Sequence, residues 1–600
     1  MSATQRTPVP VYPSLENLST QLSLPQLLDF QLEHNPDFPL YVFANHESDP
    51  DRLTEISMLE YIRAAHRAGS AIVNGNGIRD TNTSADAGPR PGEIVAIVAV
   101  LDSIVYSALI AGMIKVGLVP FPISTFLPPD TIAQLIQGNN IHRIITTDAT
   151  LHSFLASIRE SLDPTYRAEC VFEEAPSLSI LYPKLGRETS QDDFSPLSNT
   201  FVPTDEGKDL ALCMHSSGST GVPKTIRFTH RAFKSFALFS DMIDQTRKSR
   251  MTSLSGKPIR LAGFGFLFFH ASAVVILIGS ALYGPLTMAV FPPAITQPGA
   301  LPVTATPENT IDHLKRTKAT AMLSLPHFIS TFARDEKAIE VLRGLDYVVH
   351  QILIDHRRGF IPTNAGDQLV SRGVRLRIIW ASTECGAPTL ISTEDLDPED
   401  WSAFAFSKRV KVRWIPYEGG LFRCQFLATD TFQPSVENIP PNDSGERGFE
   451  VNDLFEPHPT KEGFWRIVGR IDDVIIQANG QKTLPGPIED AVLASELVKG
   501  AVIFGHQHIH IGVLVELFPG HEIDVSHQSQ VEGIRDQIWP ILEETNKTLP
   551  QYSQIRKQMI LIASKDKPLP RATKGTVNKA ASVKLYGSEI EEIYETANLD

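Results

Sequence analysis

The feature that most constrains this chain is a loop of glycine and hydroxyl side chains that follows an apolar run. Residues 210–214 (Leu-Ala-Leu-Cys-Met) have the composition of a buried strand. The loop after them ends at Lys224 and contains Ser216, Ser217, Gly218, Ser219, Thr220, Gly221, Val222 and Pro223. Glycine lets the main chain approach an anion closely, and lysine adds a compact positive charge. The pattern predicts a cradle for the phosphates of a polyphosphate.

Two other interpretations of this loop are open. The spacing from Gly218 to Lys224 and Thr225 fits the Walker pattern G-x-x-x-x-G-K-[ST]. Pro223 argues against it, because proline has no N–H to give to a phosphate and cannot take the positive φ of glycine. A flexible serine–glycine linker is the other interpretation, and linkers of that kind rarely carry a Pro-Lys pair after a buried strand.

Length and composition bound the class of protein. A chain of 600 residues is expected to form two or more domains, and 42% hydrophobic with 20% charged residues is typical of globular proteins. The 54 basic and 69 acidic side chains give a net charge of −15, which argues against a nucleic-acid partner. The four cysteines form no CxxC pair, and the first residues lack the apolar core of a signal peptide. We therefore expect a cytoplasmic protein without a disulfide framework or zinc site.

One apolar segment is long enough to raise the question of a membrane span. Residues 273–291 are largely apolar, but Gly279, Gly284 and Pro285 interrupt them and no flanking charges anchor them. We expect no membrane span here, but a buried helix followed by a buried strand.

The order of apolar and helical patterns predicts an α/β protein. Strand, helix and strand patterns at residues 93–100, 104–116 and 118–122 indicate parallel sheets with helices on both faces. After residue 412 the sequence pattern changes to several short strands separated by Gly, Pro and Asp. We predict a large N-terminal domain (1–469) of parallel-sheet α/β layers with a small β-barrel-like part, and a small α+β C-terminal domain (470–600).

Five motifs follow one another along the chain, and together they resemble the ANL superfamily of adenylate-forming enzymes. The motifs are the loop of residues 216–224, Trp-Ala-Ser-Thr-Glu at 380–384, Val-Asn-Asp-Leu-Phe at 451–455, Gly-Arg-Ile-Asp-Asp at 469–473, and Leu-Pro-Arg-Ala-Thr-Lys-Gly-Thr-Val at 569–577. The superfamily includes acyl-CoA synthetases, peptide-synthetase adenylation domains and luciferases. The sequence is most similar in character to the adenylation domains of fungal NRPS-like enzymes of the aryl-acid reductase type. This likeness is carried by Asn479-Gly480-Gln481-Lys482 with Pro485 and Ile488-Glu489, by Lys-Gly-Thr-Val at 574–577, and by Lys584-Leu585-Tyr586 before Glu589-Ile590.

The resemblance implies a reaction of a carboxylate with ATP that gives acyl-AMP and pyrophosphate. The loop of residues 216–224 would hold the β- and γ-phosphates. Thr383 would contact the α-phosphate, and Glu384 would hold Mg²⁺. Asp453 would accept hydrogen bonds from the ribose hydroxyls, with Arg470 assisting.

The resemblance also implies a moving C-terminal lid. Asp472 matches the family's hinge position, about which the small domain rotates between adenylation and thioester formation. In the family a lysine of the last motif reaches the reacting carboxylate, usually from the position after the glycine. That position is Thr576 here, so we assign the role to Lys574, with Lys579 as the alternative.

His270 indicates the kind of acid. Amino-acid-activating relatives have Phe-Asp-x-Ser where this chain has Phe269-His270-Ala271-Ser272, and that aspartate pairs with the substrate ammonium. Because a neutral histidine does not replace this charge, we expect an acid without an α-amine: an aryl, keto or fatty acid. A packed histidine without substrate contact is the other interpretation.

The acyl acceptor would be CoA or the phosphopantetheine thiol of a carrier protein, in secondary metabolism. A multidomain relative would continue past Glu589 into a carrier domain, whereas this chain ends at Asp600. We expect a free-standing enzyme that transfers its acyl group to CoA or to a carrier protein in trans. The alternative is that the chain is one piece of a longer protein. A non-catalytic nucleotide-binding member of the same fold is the alternative function.

Overall fold

The computed structural model describes most of the chain. The described residues are 10–45, 52–74, 90–198, 200–216, 223–237, 259–353, 361, 363–390, 397–441, 443–571 and 577–596. Six residues of the predicted phosphate loop (Ser217, Gly218, Ser219, Thr220, Gly221 and Val222) and Lys574 lie outside them.

The elements are numbered in chain order. The strands are β1 (Pro39–Ala44), β2 (Leu53–Ser57), β3 (Ile94–Val98), β4 (Val119–Pro122), β5 (Arg143–Thr146), β6 (Val171–Glu174), β7 (Leu210–Ser216), β8 (Lys224–Thr229), β9 (Arg260–Ala262), β10 (Thr287–Ala289), β11 (Ala321–Ser324), β12 (Tyr347–Leu353), β13 (Leu376–Ala381), β14 (Phe404–Ala405), β15 (Lys411–Pro416), β16 (Phe422–Leu427), β17 (Gly448–Pro457), β18 (Phe464–Arg470), β19 (Ile475–Ile476), β20 (Lys482–Thr483), β21 (Val498–Phe504), β22 (Gly512–Leu517) and β23 (Ile560–Ile562). The helices are α1 (Leu24–His34), α2 (Met58–Asn74), α3 (Ser103–Lys115), α4 (Pro129–Gly138), α5 (Asp148–Ser161), α6 (Pro164–Glu169), α7 (Leu178–Leu181), α8 (His230–Ala237), α9 (Ala271–Ala273), α10 (Ala281–Tyr283), α11 (Pro307–Arg316), α12 (Pro326–Phe332), α13 (Glu336–Arg343), α14 (Thr363–Ser371), α15 (Pro485–Leu493), α16 (Gln528–Asn546), α17 (Lys579–Leu585) and α18 (Gly587–Thr596).

Two sheets organise the large N-terminal part. One has the order β13-β12-β11-β9-β10-β1-β2 and is parallel except for the β1–β2 pair. The other has the order β4-β3-β5-β6 and is parallel throughout. Helices cover these sheets and bury their apolar side chains in three clusters. The predicted α/β class is confirmed.

The long apolar segment is a buried helix followed by a buried strand, as predicted. The helix begins as α9, continues as a π-helix (Val274–Ser280) and ends as α10, and all of it is buried. Strand β10 follows, between β9 and β1. In the part of the chain that the structure describes, no helix is long and apolar enough to cross a membrane.

The predicted β-barrel-like part is a curled antiparallel sheet with the order β14-β18-β17-β16-β15. Strands β15 and β18 are separated by two others, yet the rings of Trp414 and Trp465 stack with centroids 3.5 Å apart. The sheet therefore curls around aromatic side chains from several strands. Asp453 of β17 accepts a hydrogen bond from Trp380 of β13, which joins this sheet to the seven-stranded one.

The C-terminal segment has its own hydrophobic core, formed by residues between 475 and 593. Its sheet has the order β21-β22-β23, and β19 and β20 form a hairpin around Asn479 and Gly480, where Gly480 has φ +81°. The Thr363 backbone N–H, at the start of α14, donates to Asp490 Oδ1 of α15 at 3.1 Å. The boundary at residue 469 stays a prediction.

Candidate functional site

Two paired antiparallel strands flank the predicted phosphate loop. Strand β7 runs through Ser216, strand β8 starts at Lys224, and these two residues are paired in the antiparallel register. The next helix begins only at His230. A Walker loop leads directly into a helix, whose N-terminus helps to bind phosphate. The hairpin therefore argues against the Walker interpretation and leaves Ser216 and Lys224 on either side of the loop.

Thr383 and Glu384 lie on an anchored turn at the carboxyl end of β13. Ser382 and Gly386 exchange two backbone hydrogen bonds of 2.9 and 2.8 Å, and Gly386 has φ +84°. The carbonyl oxygen of Glu384 accepts hydrogen bonds from the backbone N–H groups of Ser435 at 2.8 Å and Val436 at 3.0 Å. The turn is thus tied on two sides, which holds the two half-buried side chains in place.

Trp380 links this turn to Asp453. The indole N–H of Trp380, which is fully buried on β13, donates to Asp453 Oδ2 at 2.9 Å. Asp453 lies on β17 and is 3% exposed. Burial raises the pKa of Asp453 to about 6, while the charge of Arg470 and the indole hydrogen bond oppose the shift. The structure therefore brings the 380–384 and 451–455 motifs together.

Arg470 faces Asp453 across the sheet. The two residues are directly paired in the antiparallel register of β17 and β18, which places their side chains on one face. The Arg470 side chain is 11% exposed, and its Nη2 donates to Asp472 Oδ2 at 2.8 Å. Its Nε and Nη1 atoms are buried and have no partner among the described residues. Two donors are therefore open beside the Asp453 carboxylate.

Asp472 and Asp473 are neighbours in the hinge segment with partners on opposite sides. Asp472 also accepts from Asn452 Nδ2 at 3.1 Å, so strands β17 and β18 both hold it. The Asp473 carboxylate forms an ion pair with Lys579 Nζ of α17 at 3.1 Å. Lys579 also forms an ion pair with Glu489 at 2.7 Å. Asp472, the residue predicted as the hinge, is therefore held by the large part, and its neighbour Asp473 is held by the C-terminal part.

His270 lies in a separate aromatic group at the start of α9. Its ring is inclined by 60° to that of Phe269, with centroids 4.7 Å apart, and Phe126 packs edge-on against Phe269 at 5.7 Å. Tyr106 stacks on Phe268 at 5.2 Å. These rings form an apolar, aromatic group near the start of α9.

Family comparisons decide the class of the chain. Residues 85–405 match the family model described as "AMP-binding enzyme", and residues 472–598 match "AMP-binding enzyme C-terminal domain". The chain belongs to the AMP-binding enzymes. The resemblance to adenylate-forming enzymes is thereby confirmed.

Curated relatives of this AMP-binding enzyme are fungal. Adenylate-forming reductase Nps11 of Serpula lacrymans is 34% identical over 586 residues, which are 98% of this chain and 50% of the relative. A carboxylic acid reductase of Neurospora crassa is 27% identical over 416 residues, which are 68% of this chain and 37% of the relative. The chain spans about half the length of the first of these relatives.

Solved structures share the fold at low sequence identity. ATP-bound MatB from Rhodopseudomonas palustris aligns with a TM-score of 0.67 at 16% identity and covers 95% of this chain and 100% of its own. The anthranilate CoA ligase AuaEII with anthranoyl-AMP aligns with a TM-score of 0.65 at 17% identity and covers 98% and 99%. These likenesses establish the fold of the AMP-binding enzyme.

Sequence reasoning left two residues of this site without a role. Trp380 opens one motif and Asn452 stands inside another, and neither received a function. Asn452 directly precedes Asp453 on a strand, and neighbouring residues of a strand point to opposite faces. This position could have indicated that Asn452 contacts a different partner from Asp453. The signal for Trp380 was weaker, since its partner is 73 residues away.

Proposed function

We propose that this enzyme activates a carboxylic acid without an α-amino group, such as an aryl, keto or fatty acid, by forming acyl-AMP from ATP. The observation that carries the proposal is the open pair of Asp453 and Arg470 beside the turn with Thr383 and Glu384. An acceptor and two donors at one place fit a vicinal diol, whose hydroxyls both donate and accept. The 2′- and 3′-hydroxyls of the ribose of ATP form such a diol.

The proposed reaction joins the acid to the α-phosphate. A carboxylate oxygen attacks the α-phosphorus, the bond from that phosphorus to the bridging oxygen breaks, and pyrophosphate leaves. Negative charge that develops on the α-phosphate must be met by fixed donors. We assign this contact to Thr383, and the β- and γ-phosphates to the hairpin loop that Ser216 and Lys224 flank. The loop residues between them lie outside the described residues.

The residues present fit Mg²⁺ as the metal. In the described ranges no group of three or more His, Cys, Asp or Glu could hold a metal by itself. Mg²⁺ is commonly bound by one or two carboxylates together with substrate phosphates, and Glu384 on its anchored turn supplies one. When bound, the ion would neutralise phosphate charge.

Lys574 is our assignment for the lysine that meets the reacting carboxylate, and Lys579 remains the alternative. The described contacts of Lys579 favour this choice. Two carboxylates hold Lys579, and its side chain is only 15% exposed. To reach a substrate, Lys579 would have to leave both partners.

His270 and the aromatic residues around it are proposed to bind the acid. The group around His270 contains Tyr106, Phe126, Phe268 and Phe269. This surface supports an apolar or aromatic acid, and a buried ammonium would lack a counter-charge from His270.

A thiol is the proposed acceptor, either of CoA or of a carrier-protein phosphopantetheine. Its sulfur attacks the acyl carbon, the bond to the AMP oxygen breaks, and AMP leaves as the thiol gives up its proton. We assign Asp472 as the hinge for the movement between the two steps. The cytoplasmic location and the role in secondary metabolism also stay proposals.

ATP–pyrophosphate exchange over a panel of aryl, keto, fatty and amino acids tests the first step. We expect exchange with at least one acid that lacks an α-amine, and its loss in Glu384→Gln. Exchange that is fastest with an α-amino acid would contradict the role of His270. ATP binding without any exchange would favour the non-catalytic alternative.

The second step is tested by adding an acceptor after acyl-AMP has formed. CoA and a phosphopantetheinylated carrier protein are compared, with the thioester measured by mass spectrometry. Formation of one thioester identifies the acceptor class. Acyl-AMP that persists with both thiols would contradict the proposed transfer.

A further inference from the structure

We propose that a cavity at the amino ends of β11 and β12 binds a small zwitterion with an apolar body, of which an apolar α-amino acid is the simplest kind. The cavity has a volume of about 450 Å³, which is within the range of small-molecule sites. The inference does not depend on the proposed reaction and can be tested separately from it.

The cavity lies at the edge of the seven-stranded sheet opposite to the candidate functional site. Its lining includes Thr320, which directly precedes β11, and Leu345, which lies two residues before β12. Strands β11, β12 and β13 are parallel, and the turn with Thr383 and Glu384 follows the carboxyl end of β13. A ligand in the cavity would therefore be separated from that turn by the length of the strands.

Two helix ends form the walls, and backbone hydrogen bonds fix both of them. Helix α11 and the turn after it supply one wall, and helix α13 and the turn after it supply the other. In the first turn the Ala319 N–H donates to the Leu314 carbonyl at 3.2 Å. In the second turn the Gly344 N–H donates to the Val341 carbonyl at 3.1 Å. The cavity is therefore already formed without a ligand, as is usual for small-molecule sites.

The lining combines buried apolar side chains with exposed charged ones. Leu314 and Leu345 are buried, whereas Lys315, Lys318 and Glu340 are exposed. In the part of the chain that the structure describes, these three charged side chains form no ion pair. Two ammonium groups on one wall and a carboxylate on the other match a ligand that carries a carboxylate and an ammonium. The leucines would contact its apolar part.

The backbone conformation of Lys318 is unusual for a lysine. Lys318 follows Thr317, the C-cap of α11, and its φ of +54° lies in the left-handed region. Its N–H donates to the Lys315 carbonyl at 3.1 Å, which is part of a common helix ending. Glycine usually occupies this position, because a Cβ atom in the left-handed region clashes with the backbone.

Other helices of this chain end in the same way without a lysine. Helices α3 and α14 have Gly117 (φ +84°) and Gly373 (φ +85°) at the equivalent position, and α4 has Asn140 (φ +53°). Asparagine is several-fold enriched in the left-handed region, whereas lysine is not. Lys318 therefore carries backbone strain at a point where its side chain lines the cavity, and strain of this kind is common at functional sites.

Helix polarity does not account for Lys318. Basic side chains are favoured in the last turn of a helix, where the free carbonyls carry partial negative charge. Lys315 and Arg316 lie in the last turn of α11 and already meet this preference. The helix end therefore gives no reason for a further lysine in a strained conformation.

The decisive variant is Lys318→Gly, which removes the ammonium and the backbone strain together. Ligand-detected NMR titration of the full chain compares L-leucine with 4-methylpentanoate, which lacks the ammonium, and with 3-methylbutylamine, which lacks the carboxylate. We expect wild-type protein to bind L-leucine about fivefold or more tightly than either analogue. In Lys318→Gly we expect Kd for L-leucine to rise about tenfold, because a charge-assisted hydrogen bond is lost. Its Tm without ligand should equal or exceed that of the wild type, since glycine adopts this conformation without strain.

The chain offers a matched control in Asn140→Gly. Asn140 has the equivalent position after α4, which packs on the four-stranded sheet and not on β11 or β12. This variant changes the same kind of helix end and should leave Kd for L-leucine within about twofold. Glu340→Gln tests the other wall, and it should weaken L-leucine about fivefold while 4-methylpentanoate binds as before.

The outcomes decide the proposal without reference to the reaction. L-leucine binding that Lys318→Gly leaves unchanged would place the ligand elsewhere and overturn it. Equal binding of L-leucine and 4-methylpentanoate, or no saturable binding of L-leucine at millimolar concentration, would overturn it as well. A lower Tm in Lys318→Gly, or an equal loss of binding in Asn140→Gly, would show a general structural effect and reject the site. ATP–pyrophosphate exchange should be unchanged in Lys318→Gly, so failure here leaves the proposed function standing.

Discussion

Two aspartates lie within reach of the same arginine, and their surroundings differ. Asp453 is 3% exposed and packs against Trp380, whereas the Asp472 side chain is 41% exposed on the turn after β18. A buried carboxylate costs free energy to keep ionised and therefore suits a ligand that brings donors to it. An exposed carboxylate can exchange its partners for water at little cost, which suits a joint that moves. We therefore expect Asp453 to act in nucleotide binding and Asp472 to act in the movement of the C-terminal segment.

The largest expected effect comes from Asp453→Asn. Loss of two hydrogen bonds to a charged acceptor, each contributing roughly 1.5–3 kcal/mol, should lower kcat/KM for ATP by about 100-fold or more. The measurement is ATP–pyrophosphate exchange at saturating acid. Asp472→Asn is the control and should stay within about threefold, and equal losses in the two variants would remove the distinction.

The two candidate lysines extend the comparison. Lys574→Ala should slow acyl-AMP formation about tenfold or more while ATP binding survives, as for the loss of a charge contact in the transition state. Lys579→Ala should leave that rate within about threefold, because Lys579 pairs with Asp473 and Glu489. Single-turnover acyl-AMP formation measures both variants, and the reverse pattern would move the role to Lys579.

The pH dependence should report Asp453. With its pKa raised to about 6, the carboxylate becomes protonated as the pH falls below that value and loses its acceptor capacity. We expect kcat/KM for ATP to fall up to tenfold between pH 6 and pH 5 in the wild-type enzyme and in Asp472→Asn. In Asp453→Asn this acid limb should be absent, and its persistence there would assign the limb to another group.

The exposed aspartate should matter in the second half-reaction. Asp472→Ala removes the acceptor for both Arg470 and Asn452 and should change exchange rates little. Thioester formation should change about fivefold, as is common for residues that control a conformational step. Rapid-quench measurement of the two steps tests this, and an effect confined to adenylation would contradict a hinge role.

The smallest expected effect is on stability. Because burial raises the pKa of Asp453 above its unfolded value, the folded state binds more protons between about pH 4 and pH 6, and this group lowers the free energy of unfolding as the pH rises through that window. At pH 7 Asp453→Asn should therefore raise Tm by a few degrees at most. Calorimetry without nucleotide checks the sign, and a lower Tm would show that the carboxylate stabilises the fold.

Much of the fold follows from local patterns in the sequence. The apolar runs that became β3 and β7 have the composition of buried strands, and an Asn-Gly pair such as Asn479-Gly480 is a common hairpin turn. Strand β8 was not expected, because its alternating pattern is short and the Walker spacing favours a helix at that point. The π-helix (Val274–Ser280) was also missed, since an all-apolar segment carries no periodicity that separates it from an α-helix.

The site was harder to predict than the fold because its contacts join distant segments. The hydrogen bond from Trp380 to Asp453 joins strands of two different sheets, and the pairing of Asp453 with Arg470 depends on a register that contains a bulge. Neither this contact nor this register can be predicted from one sequence. Glu188 gives a similar lesson, because it opens a segment that looks like a solvated connector but is buried in ion pairs with Arg63 and Arg67.

The hydrogen bond from Thr363 to Asp490 makes the first turn of α14 sensitive to the position of the C-terminal segment. Helix α14 begins at Thr363, and the acceptor for its first N–H comes from α15 of the C-terminal segment. Any rotation that carries α15 away leaves this N–H to water and lets the first turn of α14 fray. Amide exchange at Thr363 would then follow how often the lid departs, without a probe attached to either part.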